Sequence, residues 1–108
     1  MEVHVDIEIS TREGVAVGRV AGSLRLAAVP SVGAAVSFLF PLKGNVTCPN
    51  PLLIERLKVG QVIFSPQPST GAPPVLVLFE DVVASDAAEA ISIAKYLEGA
   101  FGLKFEDW

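Results

Sequence analysis

The sequence contains little of the chemistry on which most enzymes and metalloproteins depend. Its 108 residues include one cysteine and one histidine, and only 19% of them are charged. A single cysteine excludes an internal disulfide and a zinc site built from several thiolates. The low charge, combined with 51% hydrophobic residues, is not typical of disordered chains and predicts a packed core. The length favours a single domain that spans residues 1–108.

Basic residues and uninterrupted apolar segments are also scarce. The 8 Lys and Arg residues are outnumbered by 12 Asp and Glu, and the net charge of −4 argues against nucleic acid as a partner. The two long uncharged stretches, 27–42 and 59–79, are broken by prolines, so neither predicts a membrane-spanning helix. No basic segment precedes an apolar run at the N-terminus. We therefore expect a cytoplasmic protein without a signal peptide or a membrane interaction.

The first quarter of the chain predicts a β-hairpin. Apolar and polar residues alternate from residue 2 to residue 10, which indicates a strand with one buried and one solvated face. The residues predicted to face the core are Val3, Val5, Ile7 and Ile9. Residues 11–14 predict the turn, where Gly14 can adopt a positive φ. In the return strand, residues 15–26, the apolar positions change parity, which predicts a β-bulge at Gly18 and Arg19.

The middle of the chain predicts three further strands separated by irregular segments. Proline, glycine and asparagine mark loops at 43–51 and 66–74. The predicted strands cover 36–40, 54–64 with a bend at Gly60, and 75–79. The last of these is a continuous apolar run, which is typical of a strand covered on both faces.

The C-terminal part predicts one helix. Asp86 followed three residues later by Glu89 forms a capping box, with Ser85 as an alternative cap. Gly99 and Gly102 are the candidate ends of the helix. Its predicted apolar stripe consists of Ala87, Ala90, Ile91, Ala94, Leu97 and Phe101. The tail after the helix alternates again and could add a short strand.

Together these elements predict an α+β domain. Its sheet is expected to be antiparallel, strongly curled and five-stranded, or to form a partly open β-barrel, with one C-terminal α-helix. This outline resembles the small bacterial barrels that bind second messengers. The sequence lacks the paired N-terminal arginines and the Asp/Asn-x-Ser-x-x-Gly motif that such barrels require, so it assigns no family.

Two groups of charged residues are candidate binding sites. His4 lies on the polar face of the first strand, where carboxylates at two-residue spacing could join it on a metal ion. The carboxylates in question are Glu2, Asp6 and Glu8. Alternation alone also places polar residues together, and we expect this face to pair with arginines. The bases of the middle segment could bind an anion, but they are spaced singly and favour charge pairs with the acidic termini. They are Arg12, Arg19, Arg25, Lys43, Arg56 and Lys58.

Two further features are candidate catalytic groups. Cys48 could act as a nucleophile only if His4, 44 positions earlier, approached it. We expect a small hydrophobic side chain there instead. Glu80 and Asp81 could serve as an acid and base pair, but neighbouring strand residues point to opposite faces. The sequence therefore assigns no catalytic, cofactor-binding or metal-binding residue.

The hydrophobic content is the remaining clue to function. A domain of this size leaves much of its surface exposed, so its apolar residues exceed what one thin core can cover. We expect a non-catalytic protein-interaction module that associates with itself as a homodimer or binds a protein partner, with edge strands and the 101–108 tail as contacts. The alternative is a small-molecule-binding or enzymatic β-barrel with an apolar pocket, whose ligand the sequence does not identify.

Overall fold

The computed structural model describes residues 2–39, 50–64 and 75–107. Within these ranges the chain forms seven strands and two helices. In chain order they are β1 (Glu2–Thr11), β2 (Ala16–Arg25), β3 (Ala35–Val36), α1 (Pro51–Ile54), β4 (Leu57–Phe64), β5 (Val75–Phe79), β6 (Val82–Ala84), α2 (Ala87–Phe101) and β7 (Lys104–Asp107).

The predicted α+β class with a C-terminal helix is confirmed, but the predicted sheet differs from the observed one in two respects. The described strands form an open sheet in the order β3-β4-β5-β1-β2-β7, with β6 beside β1. The sheet is open, so the predicted alternative of a partly open β-barrel is not observed in the described part of the chain. It is mixed and not antiparallel, because β1 runs parallel to both β5 and β6. It has seven strands and not five, since β6 and β7 add short strands on either side of α2.

The hairpin at the start of the chain follows the alternation pattern. The four predicted core residues of β1 are at most 1% exposed, and burying each such side chain contributes roughly 1.5–3 kcal/mol. Gly14 closes the turn with a φ of 85° and donates a hydrogen bond to the carbonyl oxygen of Thr11 at 2.9 Å. The positive φ explains why glycine occupies this position.

The bulge in β2 lies one residue before the predicted position. Ile9 pairs with Gly18 and Ser10 pairs with Ala16, so Val17 is the extra residue. Gly18 has a different role, because a Cβ atom there would overlap the backbone carbonyl of Glu106. The glycine therefore lets β7 approach β2 closely.

The predicted third and fourth strands are both too long. The third strand is reduced to β3, since Phe38 leaves the sheet and packs its ring against Phe79 and Phe101 at centroid distances of 5.7 and 5.1 Å. The fourth strand begins only at β4, because the residues before it form α1, a short helix with proline in its first turn. The predicted bend at Gly60 is confirmed as a register shift between Val59 and Gln61. The predicted loops lie outside the described residues, apart from Asn50 and Pro51.

The predicted residues cap both ends of α2, but Glu89 accepts its hydrogen bond from a different backbone N–H than a capping box predicts. The Asp86 side chain accepts a hydrogen bond from the Glu89 backbone N–H at 2.8 Å. Glu89 accepts in turn from the backbone N–H of Ser85 at 2.9 Å, whereas a capping box returns this bond to the cap residue itself. Gly102 ends the helix in the left-handed conformation, with a φ of 72°.

The buried stripe of α2 is rotated from the predicted one. The buried residues are Ala90, Ile93, Ala94, Tyr96, Leu97, Ala100 and Phe101. Ala87 and Ile91, which the spacing places in the stripe, are exposed. The rotation brings Tyr96 inward, where its hydroxyl donates to the carbonyl oxygen of Phe38 at 2.7 Å. In this orientation α2 covers β1, β2, β6 and β7.

We expect opposite responses to substitutions on the two faces of β1. Ile7 is fully buried, so Ile7→Asp introduces an unpaired charge into the core and should destabilise the protein by several kcal/mol. The exposed neighbour Glu8 should tolerate Glu8→Ser within about 0.5 kcal/mol. Urea unfolding measures both changes, and similar midpoints for the two variants would contradict this assignment of faces.

The Glu89 cap should make stability depend on pH. The backbone N–H of Ser85, and then its hydroxyl, hold the pKa of Glu89 below its ordinary value of 4.5. The ionised carboxylate therefore stabilises the fold above pH 4.5, and this contribution is lost as the pH falls through the lowered folded-state pKa. We expect Glu89→Gln to reduce the Tm at pH 7 and to match the wild type in acid. Glu55→Gln, at an exposed position, is the control, and a pH-independent deficit in Glu89→Gln would contradict the prediction.

Candidate functional site

The polar face of β1 forms ion pairs with neighbouring strands. Arg19 on β2 contacts Asp6 at 3.1 Å and Glu106 on β7 at 3.0 Å. The hydrogen bond with Glu106, together with the charge of Asp6, raises the pKa of Arg19 above its ordinary value. The sequence predicts pairing with arginines but leaves the partners open, and it does not indicate Glu106. The cluster ties β1, β2 and β7 together on one face of the sheet.

The candidate metal ligands do not assemble. Glu2 lies opposite Arg25 and Glu8 lies opposite Arg19 in the strand register, while Asp6 is held by Arg19. In the described parts of the chain, no three His, Cys, Asp or Glu side chains are grouped so that they could hold a metal ion. Cys48 lies outside the described residues.

The candidate acid pair lines a cleft of about 300 Å³ between α1, the start of β4 and the β5–β6 connection. Glu80 and Asp81 both border it, because the chain leaves the strand at Phe79 and strand alternation no longer separates them. Arg56 and Lys58 also line the cleft. The lining thus includes two carboxylates and two cations, which gives no net attraction for an anion or a cation. The predicted basic surface is therefore not a single patch, because Arg19 forms ion pairs with carboxylates while Arg56 and Lys58 line this cleft. Lys43 lies outside the described residues.

A second hollow is apolar but small. It measures about 150 Å³ and lies between the end of β2 and the segment around Phe38. Ligand pockets usually have volumes of roughly 300–1,000 Å³. Neither the hollow nor the cleft is the enclosed apolar pocket that the small-molecule alternative requires.

An exposed apolar surface lies at the β4 side of the sheet. The face of the sheet opposite α2 is called here the outer face. Leu76 and Leu78 lie on it, because they pair in register with the polar-face residues His4 and Asp6. Ile63 lies beside Leu76 and is 41% exposed.

The neighbouring residues of β4 extend this surface around the end of the strand. Phe64 pairs with buried Val75, so it belongs to the α2 side of the sheet, yet it is 64% exposed. Val62 is half-buried on the same side. We call the whole surface the apolar corner, and it consists of Val62, Ile63, Phe64, Leu76 and Leu78. Its signal in the sequence is the absence of charge from residue 59 to residue 79.

The two edges of the sheet differ in charge. At one edge, β7 carries Lys104, Glu106 and Asp107 within four residues. At the other edge, β3 pairs only with Leu57 and Lys58 of β4. The backbone of residues 33 and 34 extends this pairing to Val59. Beyond that point, residues 61–64 pair with β5 alone among the described residues, and none of them is charged.

Comparison with family models, curated proteins and solved structures finds no match for this chain. Among the described residues, no helix combines the length and the apolar character needed to cross a membrane. The function must therefore be inferred from the geometry and chemistry of the chain itself.

The metal hypothesis for the polar face of β1 can be tested directly. Because Asp6 is engaged by Arg19, we expect purified protein to contain no stoichiometric metal. We expect His4→Ala and Cys48→Ser to leave the Tm nearly unchanged. Elemental analysis by mass spectrometry measures the metal content. Stoichiometric zinc or manganese in the wild type, lost in His4→Ala, would establish a metal site and contradict this expectation.

Proposed function

We propose that this protein is a non-catalytic interaction module that associates with a second copy of itself through the apolar corner. The observation that carries the proposal is the exposure of the neighbouring residues Ile63 and Phe64 at the end of β4, with half-buried Leu76 beside Ile63. Contiguous exposed apolar surface on a small domain marks an interaction site more often than isolated apolar residues do.

The position of the helix explains why this surface remains exposed. α2 lies over β1, β2, β6 and β7, and Phe38 packs on Phe79 at the far end of β5. Phe64 pairs with Val75 at the opposite end of β5. Removing the two exposed side chains from water would gain about 25 cal/mol for each Å² of apolar surface. Association is a direct way to obtain this gain.

Charge does not oppose a second copy as the occupant of the apolar corner. The chain has a net charge of −4, and residues 80–108 contain seven carboxylates against two lysines. Two copies that met through this acidic region would repel each other. The apolar corner carries no charge, so identical surfaces can approach there. Closed twofold dimers are the commonest form of homo-oligomer.

A cytoplasmic location is part of the same proposal. A single cysteine offers no internal disulfide and suits a reducing compartment. The small-molecule alternative receives less support, because the cleft beside Arg56 has opposing charges and the apolar hollow is small.

Light scattering across a range of concentrations tests the proposal. We expect the mass to approach twice the 11.4 kDa of one chain as concentration rises. Ile63→Glu places a charge in the corner and should weaken association by at least about tenfold. The matched control is Ile91→Glu on α2, since Ile91 is 39% exposed, and it should leave association unchanged.

Two outcomes would contradict the proposal. One is a mass that stays at that of a single chain at every concentration. The other is a dimer that Ile63→Glu leaves intact or that Ile91→Glu weakens equally. Circular dichroism of each variant confirms that the fold is retained before the masses are compared.

A further inference from the structure

We propose that the two copies join edge to edge. In this arrangement residues 61–64 of β4 pair antiparallel with the same residues of the second copy, and the two sheets become one continuous sheet. The inference rests on the proposed self-association and specifies its geometry. It is carried by the backbone of β4, the exposure of its side chains and the charge of the two sheet edges.

The backbone of β4 supplies the pairing groups. One side of residues 61–64 pairs with β5, with Ile63 opposite Leu76 and Phe64 opposite Val75. On the other side, the pairing with β3 and with residues 33 and 34 ends at Val59 among the described residues. The outward N–H and C=O groups beyond Val59 are the template that a further strand uses.

The side chains distinguish edge pairing from face packing. Ile63 lies on the outer face of the sheet, whereas Phe64 lies on the α2 side. Two copies packed face to face through their outer faces would cover Ile63 and leave Phe64 in water. A strand added along the edge of β4 places neighbours beside both side chains, because it continues both faces of the sheet. Both residues are exposed, and edge pairing covers both.

The opposite edge shows how a sheet edge is kept unpaired. Charged residues on an edge strand disfavour pairing with another chain, and β7 has three of them in four residues. Residues 61–64 have none, and they include the β-branched Val62 and Ile63 and the aromatic Phe64, residue types that favour strands. The edge of β4 is therefore suited to pairing.

The edge of β4 can pair with the same edge of a second copy, and the contact needs no residues beyond those of β4. Antiparallel pairing of two identical strands has a twofold axis, so each copy offers the same donors and acceptors to the other. No charge within the four residues opposes the contact. The paired stretch is short compared with stable interfaces, which bury roughly 800 Å² on each partner. We therefore expect a dimer whose population depends on concentration.

Phe64→Glu tests this geometry against face packing. Edge pairing places Phe64 of each copy beside β4 side chains of the other copy, so a carboxylate there loses this contact with its neighbours and should weaken the dimer at least tenfold in light scattering. Face packing predicts that only Ile63→Glu has this effect. Ile91→Glu is again the control, because Ile91 is an exposed residue of α2, and it should leave the dimer intact.

Hydrogen exchange provides the second measurement. Wild-type protein is compared at a concentration where light scattering shows a monomer and at one where it shows a dimer. Edge pairing predicts slower exchange in the dimer for the amides of residues 61–64 that point away from β5. The amides of β7 at the other edge should exchange equally fast in both samples.

The outcomes separate this inference from the proposed function. A dimer that Ile63→Glu weakens but Phe64→Glu does not, with unchanged exchange in residues 61–64, overturns edge pairing and leaves self-association in place. Slow exchange of these amides in the monomer also overturns edge pairing, because the chain would then cover its own edge. A protein that is monomeric at all concentrations overturns both.

Discussion

The pairing of β1 on both of its sides is the constraint on which the rest of the structure depends. On one side β1 pairs antiparallel with β2, and on the other it pairs in parallel with β5 and then with β6. Its four core residues are at most 1% exposed, because α2 lies across them. Once β5 occupies the side of β1 away from β2, the remaining side of β5 is the place for β4. Among the described residues, the unpaired stretch of β4 then results from the shortness of β3, which pairs only with Leu57 and Lys58.

Patterns in the sequence predict the structural elements that depend on residues close together in the chain. Alternation identifies the faces of β1, Gly14 marks a turn that requires positive φ, and Asp86 marks the start of α2. The parallel pairing of β1 with β5 is not local, since it joins residues 4–6 to residues 76–78. The continuous apolar run of β5 is typical of strands in parallel sheets, but it does not name a partner. The rotation of the α2 stripe has a similar origin, because packing of Tyr96 on the Phe38 backbone decides which face turns inward.

The sequence predicts an association surface but does not predict where on the fold such a surface lies. Hydrophobic content predicts an association surface, and uncharged residues 59–79 contain most of the residues that form it. The sequence also points to the 101–108 tail as a contact. In the structure Phe101 is buried, and β7 takes its place in the sheet with a charged edge. Only the strand pairing shows that β5 lies inside the sheet and that, among the described strands, β3 covers Leu57 and Lys58 of β4 but not residues 61–64.

The difference between the two edges also bears on the size of the proposed assembly. A sheet with two apolar edges could add copies at both and grow into a fibre. Here β7 carries charges at one edge, and charged residues disfavour pairing with another chain there. In the proposed antiparallel pair each copy covers residues 61–64 of the other, so this edge is not left to recruit a third copy. Pro66 and Pro68 follow β4 in the sequence, and proline has no amide hydrogen with which to extend a strand pairing. We therefore expect the proposed association to stop at two copies, because the residues that make the edge available are covered once a pair has formed.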